Sequence, residues 1–266
     1  MKIIDPHVHM FSRTTDDYQR MSANGVQCVI EPGFWLGSDR QYPESFWDYF
    51  NHITTFEPQR AKKYGVAHYT FLAVNPKEAR NAIASKAVDG MYKYVDAPNC
   101  LGIGEVGFDL ITDAEEDIMK RQMDWAEKHN QLILIHTPHV KKPQGTERTI
   151  KCIEKMGLTT KRILIDHNTE ETIEMSLACG QVTCGFTIYP VSKMSPPRMV
   201  AVLKKYGTDR MLMNSAADWG PSDPLAVPKT IDLMWSDGFS ESEIQKVVWD
   251  NPHSFFGQSP KWKLEK

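Results

Sequence analysis

The stretch Lys2-Ile3-Ile4-Asp5-Pro6-His7-Val8-His9 begins the chain with a short β-branched apolar run that leads directly into a polar segment. A short apolar run bounded by turn residues predicts a buried strand. Eight runs of this kind occur along the chain. They are Lys2–Asp5, Gln27–Glu31, Val66–Leu72, Cys100–Glu105, Leu132–His136, Arg162–Asp166, Gln181–Gly185 and Arg210–Asn214.

A longer stretch with helical spacing and many good helix formers follows each run. The predicted helices are Thr15–Asn24, Ser45–Lys63, Pro76–Val88, Ala114–Lys128, Thr146–Met156, Glu170–Ala178, Pro196–Lys205 and Asp223–Ser236. Because each return to the same sheet edge needs a helical crossover, the alternation predicts parallel strands. It indicates an α/β fold with a single (β/α)8 TIM barrel spanning residues 1–266. A doubly wound open sheet is the alternative, but the first strand lacks the Gly-rich phosphate turn expected there.

Composition narrows the functional classes. The 266 residues are 41% hydrophobic and 24% charged, which is typical of a globular protein. A net charge of −3 provides no broad basic surface for a nucleic acid. The five cysteines form no CxxC pair, so neither a disulfide framework nor a thiolate zinc site is indicated. No apolar run reaches the roughly 18 residues of a membrane span, and we expect a cytoplasmic protein with no membrane partner.

Polar side chains stand where the predicted strands end, which is where a barrel of this type carries its reactive groups. His7 and His9 are two residues apart, so both can face the mouth of the barrel. A lone pair of this spacing is a weak signal, because two exposed loop histidines would look the same. Later strands add further candidates, which are Glu105, His136, His167 and Asp218.

Four histidines and two carboxylates are more ligands than one catalytic cation usually accepts, so we expect two divalent ions. Zn, Mn, Fe, Ni or Co suits imidazole and carboxylate ligands. In this arrangement His7 and His9 bind one ion, His136 and His167 bind the other, and Glu105 bridges them. Asp218 is then a further ligand or the general base that takes the proton from a bridging water.

These residues also resemble a known family. The order His7-x-His9, Gly104-Glu105-Val106-Gly107, Ile135-His136, Asp166-His167 and a strand-eight acid is similar to the amidohydrolase superfamily. The Gly-Glu-Val-Gly stretch resembles its TatD-related branch. Longer stretches are similar to a group of predicted metal-dependent TIM-barrel hydrolases that includes EboB-like proteins. The resemblance implies a binuclear hydrolase in which Glu105 replaces the carboxylated lysine that bridges the metals of phosphotriesterase-like relatives.

The sequence departs from that pattern at two places. Ser215-Ala216-Ala217 separates Asp218 from the eighth strand, whereas TatD nucleases usually present a Thr-Asp pair directly. After His167 the stretch Asn168-Thr169-Glu170-Glu171 replaces the typical nuclease turn, and its acids would repel a phosphate backbone. We therefore do not extend DNase activity to this chain by name.

Other residues near the strand ends are candidates for contacting substrate or orienting a ligand. Glu31 is an extra metal ligand, an acceptor for a histidine N–H or a strand-end capping acid, and His68 either faces the mouth or is a core histidine. His139 lies three residues beyond His136 and is a candidate for contacting substrate or metal. Cations that follow strands, any of which can hold an anionic group, are Arg13, Lys142 and Lys193. Aromatic residues that can form an apolar wall are Trp35, Tyr189 and Trp219.

The leading hypothesis is metal-dependent hydrolysis of a small-molecule ester, lactone, amide or phosphoester by a metal-bridging hydroxide. Two alternatives remain open at this stage. One is a metal-binding barrel with a redox, lyase or binding role, which the displaced Asp218 favours. The other is a TatD-like nuclease, which the net negative charge disfavours. The sequence leaves the oligomeric state and the pathway open.

Overall fold

Eight parallel strands form one sheet in the order of the chain, from β1 to β8, in the computed structural model, which describes residues 1–265. The strands are β1 (Ile3–Asp5), β2 (Val26–Pro32), β3 (Ala67–Leu72), β4 (Cys100–Gly107), β5 (Leu132–His136), β6 (Ile163–Asp166), β7 (Thr183–Thr187) and β8 (Met211–Asn214). The segment after β8 meets the segment after β1 through a parallel bridge between Val8 and Ala217. The sheet is therefore a nearly closed barrel, which confirms the predicted fold, and the open-sheet alternative is wrong.

Helices cover the outside of the barrel. They are α1 (Thr15–Ala23), α2 (Glu44–Lys62), α3 (Ala84–Met91), α4 (Asp113–Lys128), α5 (Lys142–Met156), α6 (Ile173–Ala178), α7 (Pro196–Tyr206), α8 (Ala226–Ser236), α9 (Glu241–Gln245) and α10 (Asn251–Phe256). Short 3₁₀ segments are Met10–Ser12, Pro76–Glu78, Tyr92–Tyr94 and Thr160–Arg162, and a π-helical segment, Lys246–Asp250, joins α9 to α10. No helix among residues 1–265 combines the length and apolar character needed to cross a bilayer.

Most predicted elements differ in their bounds by a few residues in the structure, and the differences at α3 and β7 bear on the candidate site. The helix predicted from Pro76 begins at Ala84, because Asn75 caps a separate 3₁₀ turn and the Asn81 side chain accepts from the Ile83 N–H. Side-chain bonds of this kind compete with helix formation. Strand β7 begins and ends two residues later than predicted, and this shift brings Thr187 to the mouth of the barrel.

Two apolar layers build the core, as the twofold alternation of strand side chains requires. Inward-facing residues such as Cys28, Ile30 and Leu134 fill the barrel, whereas outward-facing residues such as Val29 and Ile135 pack under the helices. All five cysteines are buried and unpaired. The filled barrel leaves its polar groups at the carboxyl ends of the strands, where the candidate site lies.

Candidate metal centre

The strand pleat aims several polar side chains into the mouth of the barrel. Leu134 and Leu164 belong to the inward layer, so two residues later His136 and Asp166 point to the same side. Both polar side chains are almost completely buried. At the carboxyl ends of β5 and β6 the inward-facing side chains therefore change from apolar to polar.

Glu105 reaches the mouth by a different route. Along β4, Ile103 and Val106 both pack in the outward layer although they are three residues apart. The pairing of β4 with β5 shifts register between Gly104 and Val106, which leaves Glu105 as an extra residue. An extra residue of this kind turns a side chain away from the regular alternation. The irregularity therefore delivers the Glu105 carboxylate to the mouth.

One oxygen of Glu105 is the centre of the arrangement. Its Oε2 atom lies 2.9 Å from His136 Nδ1, 2.9 Å from His167 Nε2 and 3.6 Å from His7 Nε2. His9 Nε2 lies 3.0 Å from His7 Nε2. Together with Asp166 these side chains form three overlapping groups whose ligand atoms lie within 4.8 Å of one another. We call the six residues, His7, His9, Glu105, His136, Asp166 and His167, the mouth cluster.

A chain of hydrogen bonds fixes the tautomer of His167. The Asp166 carboxylate accepts from Asn214 Nδ2 at 3.0 Å, so the Asn214 carbonyl oxygen is left to accept from the Thr187 hydroxyl at 2.8 Å. That hydroxyl has one proton to give, so its oxygen accepts from His167 Nδ1–H at 2.6 Å. The remaining lone pair of His167, on Nε2, faces the Glu105 carboxylate.

Asp166 fixes His7 in the same way. Burial acts to raise the pKa of the Asp166 carboxyl, but the adjacent His167 and His7 rings and their hydrogen bonds hold it well below its usual range. The carboxylate therefore accepts from His7 Nδ1–H at 2.6 Å. As in many metal sites, a carboxylate on one ring nitrogen directs the other nitrogen to the centre.

Charges in the cluster favour acceptors without protons. Burial would raise the pKa of Glu105, but the nearby His136 and His7 rings and the hydrogen bond of His136 keep it well below its usual range. Burial lowers the pKa of His9 and of His167 well below the usual value of 6.5, and neighbouring cationic groups lower it further. His9 and His167 are consequently neutral near pH 7, as metal ligands must be.

This donor set fits a divalent cation. The Nε2 lone pairs of His7 and His167 face the ionised Glu105 carboxylate with no proton between them, an arrangement that a cation would stabilise. His136 Nε2 is buried and has no hydrogen-bond partner among the described residues. Imidazole and carboxylate ligands without thiolates suit Zn, Mn, Fe, Ni or Co.

Asp218 lies at the edge of the same cavity, outside the groups of closely spaced ligand atoms. Its Oδ1 atom accepts from the Tyr189 hydroxyl at 3.0 Å and from the Gly220 N–H at 2.8 Å. Within residues 1–265, Oδ2 accepts no hydrogen bond. One oxygen is therefore held in place and the other is available.

A cavity of about 290 Å³ opens over the mouth cluster. Phe34 stacks on the His9 ring with centroids 3.7 Å apart, and Trp219 packs edge-on against Trp35 at 5.5 Å. His139 also lines the cavity, with its ring 5.7 Å from the His136 ring, and burial lowers its pKa. The mouth thus combines a polar floor with an aromatic wall.

The three cations predicted near the mouth occupy different environments. Arg13 donates to Asp17 and to the Asp218 carbonyl oxygen, and it does not line the cavity. Lys142 is buried, donates to the His167 carbonyl oxygen at 2.9 Å, and has its pKa lowered by burial to about 7. Lys193 lines the cavity, and burial lowers its pKa.

Glu31 and His68 lie outside the mouth. Ile30 and Tyr69 face into the barrel, so their neighbours Glu31 and His68 point outward, towards α1 and α2. There His68 Nε2 donates to Glu31 Oε2 at 2.8 Å, and both side chains are fully buried. With Glu57 on α2 they form a second group of ligand atoms within 4.8 Å, which we call the outer cluster.

Sequence reasoning missed several residues that support or line the mouth. The sequence assigns Asp166 no role, although alternation from Leu164 points its side chain inward. Asn75 donates to Glu105 Oε1 at 2.9 Å, and Lys77 lines the cavity, whereas the sequence predicts Lys77 within a helix from Pro76 and gives neither residue a role. Thr187 was missed because β7 was predicted two residues too early.

Comparisons with known proteins agree with this geometry. A sequence model of the family described as TatD related DNase matches residues 4–257. A protein named as an uncharacterized metal-dependent hydrolase from Methanocaldococcus jannaschii is 24% identical over 257 residues, covering 96% of this chain and 99% of that protein. The TatD-like protein from Archaeoglobus fulgidus has a similar crystal structure, with a TM-score of 0.79 at 23% identity over 96% of this chain and 99% of that one. The phosphotriesterase from Mycobacterium tuberculosis shares the fold, with a TM-score of 0.66 at 15% identity over 97% of this chain and 94% of that one.

Proposed function

This chain belongs to the TatD related DNase family and is a metal-dependent hydrolase, and from that premise we propose that the mouth cluster holds two divalent cations and hydrolyses a bond in a small molecule. The scissile bond is that of an ester, lactone, amide or phosphoester. One observation carries the proposal: the Nε2 atoms of His7 and His167, whose Nδ1 atoms bond to Asp166 and Thr187, both face a single oxygen of Glu105.

The proposed ligands divide into two sets around that oxygen. His7 and His9 would hold one ion, His136 and His167 would hold the other, and Glu105 would contribute to both sets. Cations bound in this way polarise the scissile bond and lower the pKa of water. The positions of the ring nitrogens support this division, because those of His7 and His167 approach Glu105 Oε2 from separate strands.

Residues of the chain itself perform the remaining tasks in this proposal. Asp166 and Thr187 hold the His7 and His167 rings so that Nε2 is directed to the centre. Asp218 is the general base: Tyr189 and Gly220 fix its Oδ1 atom, which leaves Oδ2 to take a proton from the attacking water. These hydrogen bonds hold the Asp218 carboxylate at the edge of the cavity, outside the mouth cluster.

The size of the cavity favours a small-molecule substrate. A volume of about 290 Å³ lies at the lower end of the range for small-molecule sites. Phe34, Trp35 and Trp219 form one wall, so the substrate has a flat or apolar portion beside the bond that is cleaved. A nuclease is the second candidate, because the description of the family names DNases.

Metal stoichiometry and turnover measured together test the proposal. The chain is stripped with a chelator, titrated with Zn²⁺ or Mn²⁺, and assayed for bound metal by elemental analysis and for activity on esters, lactones, amides, phosphomonoesters and single-stranded DNA. We expect two ions per chain and hydrolysis that depends on them. Glu105→Gln should retain at most one tightly bound ion and lose at least about 100-fold in kcat/KM.

Glu31→Gln is the matched control, because it makes the same change at a buried carboxylate of the outer cluster. It should keep both ions and full activity. Full activity of the original chain in excess chelator, or two tightly bound ions and full activity in Glu105→Gln, would contradict the proposal. Cleavage of DNA alone among the substrates would favour the second candidate.

A further inference from the structure

Two lysines, Lys77 and Lys193, line the cavity beside the mouth cluster and are half-buried. The Lys77 ammonium lies over the Trp35 ring, 4.6 Å from its centroid. The Lys193 ammonium lies 5.4 Å from the centroid of the Tyr189 ring and 3.4 Å from His167 Nε2. Both cations therefore reach the space above the candidate metal centre from different loops.

Neither lysine has a carboxylate partner within 4.0 Å among residues 1–265. The other cations near the mouth already have acceptors, since Arg13 pairs with Asp17 and Lys142 bonds the His167 carbonyl oxygen. A partly desolvated cation without a counter-charge is unfavourable, and an anion that joins it recovers that cost. Lys77 and Lys193 thus line the cavity without a counter-charge, and the Lys193 ammonium has the neutral ring nitrogen His167 Nε2 3.4 Å away.

The walls around these lysines restrict the shape of that ligand. Trp35 lies under Lys77 and meets Trp219 edge-on, so a flat group can lie between the indoles and the floor. Lys193 lies against His167, so an anion it binds lies beside the reacting bond rather than at the rim. The cavity of about 290 Å³ has room for one ring and one anionic group.

We propose that the substrate is a small anionic molecule whose carboxylate or phosphate oxygens are held between Lys77 and Lys193 while its flat portion lies against Trp35 and Trp219. This inference rests on the proposed function and adds to it the chemical class of the substrate. Ammonium groups recognise both kinds of oxyanion as point charges, so carboxylate and phosphate share the same chemistry here.

Equilibrium binding of three probes with the same ring tests the inference without turnover. Phenylphosphonate stands for a phosphate, phenylacetate stands for a carboxylate, and 2-phenylethanol is the uncharged match. Isothermal titration calorimetry is run on chelator-treated protein, so that metal ions contribute nothing to anion binding, and again after Zn²⁺ is restored. We expect the original chain to bind at least one anionic probe at least about tenfold more tightly than 2-phenylethanol in both states.

Lys77→Met and Lys193→Met keep the length of the side chain and remove its charge. Each should weaken the preferred anionic probe at least about tenfold in chelator-treated protein, the loss expected for one charge-assisted bond, and leave 2-phenylethanol within about twofold. Lys193→Arg should restore most of the binding. Lys86→Met, at an exposed position of α3, is the control for the change in net charge and should bind as the original chain does.

Three results would overturn the inference: equal binding of charged and uncharged probes by the original chain, no loss in either lysine variant, or an equal loss in Lys86→Met. The preferred probe decides between phosphate and carboxylate. Because the titration needs no turnover, its failure is distinct from failure of the proposed function. Hydrolysis of uncharged substrates with intact metal binding and no anion preference would reject only the substrate class.

Discussion

The mouth cluster and the outer cluster use the same side chains in different ways. Each contains buried glutamate and histidine atoms within 4.8 Å of one another. In the outer cluster, Glu57 accepts from the Tyr18 hydroxyl and from Arg60, and Glu31 accepts from the Phe11 N–H and from His68. Each of these carboxylates therefore already has its own donors.

In the mouth cluster, lone pairs converge instead. His167 Nε2 and Glu105 Oε2 are 2.9 Å apart, although the hydrogen bond to Thr187 takes the one ring proton of neutral His167. The pKa values of the two glutamates differ between the clusters as well. Burial raises the pKa of Glu31 despite its bond to His68, whereas the surrounding imidazoles hold the pKa of Glu105 well below its usual range. Short distances between ligand atoms therefore do not by themselves distinguish a metal site from a hydrogen-bonded cluster. The two differ in whether a donor hydrogen lies between the facing atoms.

The outer cluster has a structural task that its hydrogen bonds define. Arg60 donates to the Met10 carbonyl oxygen at 2.6 Å and to the Arg13 carbonyl oxygen at 3.1 Å, and Glu31 accepts from the Phe11 N–H at 2.7 Å. These bonds fasten the segment that directly follows His9. The outer cluster therefore supports the mouth from behind the barrel wall without sharing its chemistry.

The largest expected effect comes from making one substitution in both clusters. His167→Gln removes a proposed ligand, and we expect a loss of at least about 100-fold in metal affinity and in kcat/KM, since removing even an outer partner of a ligand costs about 10–100-fold. His68→Gln keeps a donor for Glu31 and should leave metal content unchanged and kcat/KM within about twofold. Metal titration and steady-state kinetics on the two variants measure the difference.

Equal losses of metal in His167→Gln and His68→Gln would show that the clusters are not distinct. Circular dichroism and thermal unfolding of both variants serve as the control, because an unfolded variant loses metal for a trivial reason. A folded His167→Gln protein with unchanged metal affinity would remove His167 from the ligand set.

The sequence carried enough information for the barrel because its alternation is a property of every unit. Each apolar run is followed by a helical stretch, and no single boundary error changes the count of strands. His136 could be placed at the mouth for a related reason, since it continues the inward alternation of Leu134. A boundary error of two residues, as at β7, leaves the predicted fold correct but misses a supporting residue such as Thr187.

The remaining features depend on contacts between distant segments. Glu31 lies near the end of a strand, just as His136 does. Its side chain nevertheless points to the outer side of the barrel, because its neighbour Ile30 points inward. The predicted run has Cys28 and Ile30 on one face and Gln27, Val29 and Glu31 on the other, and only the folded strand shows which face points inward. Lys77 lies on an irregular loop, so only the folded chain brings it over Trp35.

We expect a smaller effect, on the free energy of unfolding, from removing the Tyr18 hydroxyl that donates to the outer cluster. Tyr18→Phe removes the donor that lies 3.0 Å from Glu57 Oε2. Hydrogen bonds to charged groups contribute about 1.5–3 kcal/mol, and Glu57 keeps its bonds to Arg60 and His52, so we expect a loss of about 1.5 kcal/mol in the free energy of unfolding. Urea unfolding measures this change, and metal affinity should stay within about threefold.

Tyr94→Phe is the matched control for that loss, since the Tyr94 hydroxyl makes no side-chain hydrogen bond in the described chain and its ring packs on Phe50. It should change the free energy of unfolding by less than about 0.5 kcal/mol. A Tyr18→Phe protein as stable as the original chain, or one that loses metal as His167→Gln does, would contradict the separation of the two clusters.

The smallest effect is a difference in pH dependence. Burial raises the pKa of the Glu31 carboxyl above its usual 4.5, so the folded chain holds this proton to a higher pH than the unfolded chain does. The stabilising contribution of Glu31 is therefore complete below pH 4.5 and is lost as pH rises through the folded-state pKa. The slope for one proton is at most about 1.4 kcal/mol per pH unit, and the bond to His68 reduces it further.

Glu31→Gln removes this titration and keeps an acceptor for the Phe11 N–H. In chelator-treated protein, the free energy of unfolding of the variant, relative to the original chain, should rise as pH increases from 4.5 through the folded-state pKa and then level off. Glu105→Gln should give the opposite trend below pH 4.5, because the folded-state pKa of Glu105 is depressed and its stabilisation is lost as pH falls from 4.5 through the folded-state pKa. Parallel curves for the two variants over the whole pH range would mean that both carboxylates experience the same environment, and the contrast between the two clusters would then fail at its electrostatic basis.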